Sequence, residues 1–421
     1  MNRRNCAVTT LLMAIGFWAA GAKGQTATPA SGGTARPATS GGAGAVKPAA
    51  GGGAAAARPT TIPAVPVSAT IAHDIYGDPQ KNVAGIVTFV KGNVANLIND
   101  TDPALQGRSR DNLAAATMTE GQPASPAFLF EYGRALNNEF VTKLGPNASM
   151  RQRLNIAIVV AKVVPVLQNV TLQQTTIQLI NDPAEPVMLW GLKAAQPQVP
   201  LVIGMKAPGA ANQVPPLVAA IAPAALKHPS GPVFAEAYEA LSATDSSVFA
   251  ELRKLWGYRL SQYQGPNVPE DPDVDGRPVY ILTTASMWKS VINDKKSQGR
   301  VMQMVSDQIA VAAQWADVSK GDKRDHLVKL VVQCAGAIVV VGTNTQNQAL
   351  VGAASGLSAV KVETLADTEK MWPRVQPIVT AIQTAYPEVQ PPPTVGNAEG
   401  AAAGPVVGPA GTSGTNGVAG K

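Results

Sequence analysis

A four-residue phrase closes three helical stretches of this chain, and another helical stretch follows each time. Leu97-Ile98-Asn99-Asp100 precedes Thr-Asp-Pro, Leu179-Ile180-Asn181-Asp182 precedes Pro183, and Val291-Ile292-Asn293-Asp294 precedes Lys-Lys-Ser. The apolar pair can bury the end of one helix. The Asn-Asp turn supplies side-chain oxygens for the unsatisfied N–H groups that open the next. A chain written this way folds as stacked helical hairpins, so the expected class is all-α, an α-solenoid. Each hairpin then buries one face against its neighbour, and stability accumulates along the stack.

Apolar spacing predicts the individual helices. Val83, Ile86, Val87, Val90, Val94, Leu97 and Ile98 lie on one helical face. Helices are expected over 102–118, 128–144, 150–164, 172–180, 185–195, 214–226, 232–241, 248–263, 279–292, 298–316, 324–341, 349–360 and 367–385. No run shows the strict alternation and turn chemistry of a β-hairpin. The second helices of the hairpins open near Asp102, Asn147, Asp182 and His228, at offsets of 45, 35 and 46 residues, which is around the period of two-helix repeats.

The stretch Asn181-Asp182-Pro183-Ala184-Glu185-Pro186-Val187-Met188-Leu189-Trp190-Gly191-Leu192-Lys193-Ala194-Ala195 resembles the second half of a HEAT repeat. In that repeat Asp-Pro opens a helix whose apolar residues close the hairpin. The resemblance spans about residues 80–245 and implies a HEAT-like solenoid there. From residue 279 it weakens, and a helical bundle is the alternative for the C-terminal half.

The ends read differently. Arg3 and Arg4 precede an uncharged, mainly apolar stretch from Ala7 to Ala20, and Ala20-Gly21-Ala22 offers a cleavage site, with Gly24 just beyond. Residues 1–24 are therefore expected to be a signal peptide, which makes the protein periplasmic or extracellular. Residues 25–67 are an Ala/Gly/Pro-rich stretch with almost no large apolar side chain before Ile62. Such a stretch is expected to be a disordered linker, with a root-mean-square span of roughly 35 Å for about 40 residues. A second disordered tail, rich in Pro, Gly and Ala, is expected over 389–421. The α-helical repeat domain occupies 68–388 between them.

Loss of Arg3, Arg4 and Lys23 with the signal lowers Lys plus Arg from 34 to 31, against 28 acids. Arg36, Lys47 and Arg58 in the linker carry that excess. The folded part is close to neutral, so the sequence pI of 9.2 gives no basic stripe for nucleic acid.

Few residues point to chemistry. His73, His228 and His326 are the only histidines, and none stands at metal-binding spacing with another ligand. Phosphate-binding glycine loops and a Gly-x-Ser-x-Gly elbow are missing, since Gly352-Ala-Ala-Ser355-Gly356 carries its serine one place late. Cys334, the one cysteine after the signal, lies in the apolar run 327–341 and reads as a small buried helix residue. Trp256, Tyr258 and Tyr263 read as core or half-buried packing rather than a ligand groove. Glu236 and Glu239 share a helix face and read as solvated surface charge.

One cluster is a metal candidate. Asp271, Asp273 and Asp275 alternate ahead of Gly276, the first half of a calcium loop, in which carboxylates at positions one, three and five converge and glycine sixth makes the turn. The twelfth position is Leu282 where that loop needs a bidentate Glu, and Pro272 and Pro278 stiffen the run. It reads first as an acidic linker between Tyr263 and Val279, and second as a weak calcium site. No other cofactor is expected.

The sequence thus describes an exported, monomeric, non-catalytic scaffold that binds a protein or cell-envelope component over a repeat surface, with no membrane span left after signal cleavage. An enzyme whose site sequence cannot assemble, or a calcium-stabilised structural module, are the alternatives.

Overall fold

A computed structural model of the protein describes residues 83–99, 101–119, 122–207, 213–366 and 368–395. The signal over 1–24, the linker over 25–67, His73 and the tail from 396 lie outside the described residues. The described residues are all-helical apart from one two-residue ladder, in which Met118 pairs with Pro123 and Thr119 with Gln122. That ladder is a hairpin too short to register as alternation.

The first ten helices are α1 (Val83–Leu97), α2 (Pro103–Ala115), α3 (Pro126–Lys143), α4 (Met150–Leu167), α5 (Gln173–Ile180), α6 (Glu185–Gly204), α7 (Pro216–Lys227), α8 (Gly231–Ala240), α9 (Ser246–Gln262) and α10 (Gly276–Thr283). A 3-10 turn, Pro272–Asp275, leads into α10. Then come α11 (Ala285–Ser290), α12 (Lys295–Val318), α13 (Asp322–Asn344), α14 (Gln348–Ser358) and α15 (Trp372–Ala385). From α1 to α9 each helix packs on the next but one, and most also pack on the next. Thus α1 touches α3, α2 touches α4, and the pattern continues through α4–α6, α6–α8 and α7–α9. Near the C-terminus α12, α13, α14 and α15 touch in a closed ring.

The recurring phrase acts at helix junctions. Leu97, Leu179, Ile180 and Ile292 are fully buried. Asp182 accepts from Ala184 N at 2.8 Å and pairs with Arg153 at 2.6 Å. Asp294 caps α12 by accepting from Ser297 N at 2.9 Å. In the first copy Asp100 lies outside the described residues, and Asp102 is the cap, accepting from Ala104 and Leu105 N–H groups at 2.9 and 3.0 Å.

Helix α6 runs nine residues beyond its expected end, through Pro197 and Pro200. Each proline removes a backbone donor. Burial of Val199 and Val202 on the far side of that point outweighs the loss. The same helix faces two apolar cores: Val187 and Ala194 join the one built on α1–α5, while Met188, Leu192 and Val199 join the larger one that extends to Val389. Conversely, the helix expected over 279–292 is two. Thr283 Oγ1 bonds back to Val279 O at 2.8 Å, and Thr284 adopts φ −59°, ψ 147° and caps α11. Two adjacent hydroxyls offer the backbone an alternative to continuing the helix.

Helix α13 is long and apolar enough to cross a membrane, but 56% of its apolar window is buried here and α10, α12 and α14 pack against it. It is a core helix of this fold. Of the tail expected from 389, the first residues are placed: Val389 is buried, and Gln390, Pro393 and Val395 are bonded to α12.

Candidate functional site

The 3-10 turn before α10 organises the most polar part of the core, and the three candidate calcium ligands lie on it or just before it. In a 3-10 helix successive residues turn by about 120°, so positions two apart leave in different directions. The carboxylates accordingly diverge. Asp271, at φ 48°, is exposed beside Gly231, where an added Cβ would collide with its Oδ2. Asp273 meets Lys329 at 3.0 Å and His326 Nδ1 at 3.3 Å, both from α13. Asp275 points into the core. Among the described residues no group of three or more His, Cys, Asp or Glu is placed to hold a metal ion. The structure thus does not bring Asp271, Asp273 and Asp275 together: the first precedes the turn and the other two lie on it.

Asp275 is fully buried and its oxygens are saturated. The Arg259 guanidinium donates through Nε at 3.0 and 3.1 Å and lies within 2.9 Å through Nη2. Tyr238 and Tyr263 donate their hydroxyls at 3.1 and 2.7 Å. Burial pushes the Asp275 carboxyl up, and Arg259 with the two phenols pulls it back. Arg259 also stacks over Phe234, 5.0 Å from the ring centre. This assembly pins α9, α8 and the turn together. Cys334 is buried nearby, and burial followed by the Asp275 charge pushes its thiol up, which makes it a poor nucleophile.

Beside the turn a cleft of about 580 Å³ opens between α8, α10 and α13. Ala235, Glu236 and Glu239 come from α8, and Arg277 and Tyr280 from α10. Gly336, Ala337 and Val340 come from α13. Tyr280 is 58% exposed and Val340 38%. A Cβ added at Gly336 would meet nothing within 4 Å. The rim charges are paired with one another: Arg277 with Glu239 at 2.6 Å, and Glu236 with Lys193 at 3.4 Å and with Gln196 Nε2 at 2.7 Å. Arg277 Nε is buried without a hydrogen-bond partner.

The pair Glu236 and Glu239, expected to be solvated surface charge, thus forms one wall of the cleft. Trp256 and Tyr263 are fully buried, whereas Tyr258 is 37% exposed and stacks on Phe234. Sequence reasoning missed Arg277, Tyr280, Gly336 and Val340. A usable signal existed in α13, where Val331, Val332, Val339, Val340 and Val341 make the helix apolar almost all round. Such a helix either has protein on every side or borders a groove.

Comparison of the chain with models of known protein families and with curated protein sequences finds no significant match.

Proposed function

We propose that the protein is an exported, non-catalytic scaffold, an α-solenoid with HEAT-like hairpins over about residues 80–245 and a helical bundle in α12–α15, that binds another protein at the α8–α10–α13 cleft. The next-but-one packing from α1 to α9 supports the solenoid, and the apolar stretch after Arg3 and Arg4 supports export. One observation carries the binding role. The cleft exposes an aromatic ring and an aliphatic side chain over small residues, while its charged groups are already paired in the unbound protein. Apolar surface held ready within a polar rim suits docking of a partner side chain. Acid–base chemistry would want an unspent carboxylate instead.

The test is a photo-crosslinking residue placed at position 280 or 340 of the full chain, with position 318 as the exposed control. Saturable crosslinks to one protein from 280 and 340, absent from 318, are expected. Gly336→Leu fills the open space on α13 and should abolish them without lowering the melting temperature. Equal crosslinking from all three positions, or survival of the partner in Gly336→Leu, would remove the cleft from the binding surface.

A further inference from the structure

Val389-Gln-Pro-Pro-Pro-Thr-Val395 lies along the seam of α12 and α15, held by two glutamines of α12. Gln303 accepts from Gln390 N at 2.5 Å and donates to Gln390 O at 3.2 Å. Gln314 accepts from Val395 N at 2.7 Å and donates to Pro393 O at 3.1 Å. Each side-chain amide therefore reads an N–H and a C=O of the segment, as a neighbouring strand would. Gln303 is itself oriented by donating to Asp307 at 2.8 Å.

The spacing requires an extended backbone, and three consecutive prolines hold it in polyproline II. Gln303 and Gln314 are eleven residues apart, three helical turns or about 16.5 Å along one face of α12. From Gln390 to Val395 is five residues, about 15.5 Å at the rise of polyproline II. A more compact segment would not reach both amides. Pro391 and Pro392 border a cleft of about 520 Å³ whose other wall includes Trp372, an aromatic ring of the kind that lines grooves for proline-rich ligands. Val389 is buried, and Val395 packs on the main core. Gly299 gives the approaching chain room, since a Cβ there would collide with the Glu388 side chain.

We propose that the α12–α15 seam is a polyproline-reading site, that 389–395 is its resident ligand, and that a proline-rich segment of another protein, of the form Val-Gln-Pro-Pro-Pro-x-Val, takes its place. Recognition rests on backbone groups and two apolar anchors, so it accepts a class of segments. The resident ligand is tethered and acts at an effective concentration in the millimolar range, so a competing peptide must be supplied at several millimolar. This site is independent of the α8–α10–α13 cleft.

The test follows hydrogen exchange at Gln390 and Val395 in the full chain. Gln303→Ala/Gln314→Ala should exchange these amides about tenfold faster, with the α12 and α15 amides unchanged. Adding acetyl-Glu-Val-Gln-Pro-Pro-Pro-Thr-Val-amide should drive the unmutated chain towards that rate, and the same peptide with three alanines for the prolines should not. No protection in the unmutated chain, or equal displacement by the alanine peptide, overturns the proposal. A concentration-dependent dimer that the proline peptide dissolves would overturn the separate partner in favour of tail exchange between copies.

Discussion

Gly191→Ala should destabilise this protein although it places a better helix former in a helix. An alanine gains about 0.5–1 kcal/mol over glycine in a helix interior. Gly191, however, sits where α6 crosses the end of α5. An added Cβ there would lie 2.7 Å from Ile180 N, 2.8 Å from Leu179 C and 3.0 Å from Leu179 Cβ. Carbon atoms in contact settle at about 3.5–4.0 Å, so the two helices must part by nearly an ångström. Two of the three atoms are backbone and cannot rotate away. Overpacking of this kind costs about 1–3 kcal/mol, and at mid-range it exceeds the helix-propensity gain by about 1 kcal/mol. Gly336→Ala is the matched control, a helical glycine whose Cβ would meet nothing within 4 Å, and it should gain about 0.5–1 kcal/mol. Urea unfolding of the full chain, followed by far-UV circular dichroism, should place the two midpoints on opposite sides of the unmutated protein. If Gly191→Ala unfolds at the same urea concentration as Gly336→Ala, the close crossing of α5 and α6 is wrong.

Three other outcomes are expected. Asp275→Asn leaves the buried Arg259 charge without its counter-ion, and removing one partner of such a pair costs about 3–5 kcal/mol; a melting temperature within a degree of the unmutated protein would contradict the burial described. Burial raises the Asp307 carboxyl to about 6, above its ordinary 3.8, so the folded state holds a proton that the unfolded chain releases. Its contribution to stability is therefore fully present below about pH 4 and lost as pH rises through 6. Asp307→Asn should be more stable than the unmutated chain at pH 8, by about 1–2 kcal/mol after discounting for solvent screening, with no such gain at pH 4; parallel urea midpoints across pH 4, 6 and 8 would refute this. Millimolar calcium, or a chelator, should leave the melting temperature of the full chain unchanged, because Asp271, Asp273 and Asp275 diverge; a rise of several degrees with calcium would restore the metal reading.

What the sequence made legible was local. The phrase ending in Asn-Asp marked real junctions at 182 and 294, and apolar spacing located helices such as Val83–Leu97 and Pro103–Ala115 to within a few residues. Local preference was a poor guide where a distant contact overrode it. Pro197 and Pro200 argue for a helix end, but the core on both faces of α6 carries the helix past them. Alternating aspartates suggest a cation loop, but Arg259, sixteen residues earlier, takes the last of them into the core. A proline run suggests a disordered tail, but Gln303 and Gln314, some eighty residues away in sequence, bind its first residues.

The cleft was the least legible feature because it arises from helix lengths rather than from a motif. Helix α10 has 8 residues, α8 has 10 and α13 has 23. At 1.5 Å per residue these are about 12, 15 and 35 Å, so α10 covers only a third of the α13 face that packs on it. Gln333 lies against Gly276 at the start of α10, and Gly336, Ala337 and Val340 follow it along the cleft wall. The small side chains at Gly336 and Ala337 keep the cleft open beside Tyr280, so a large residue at 336 should close it.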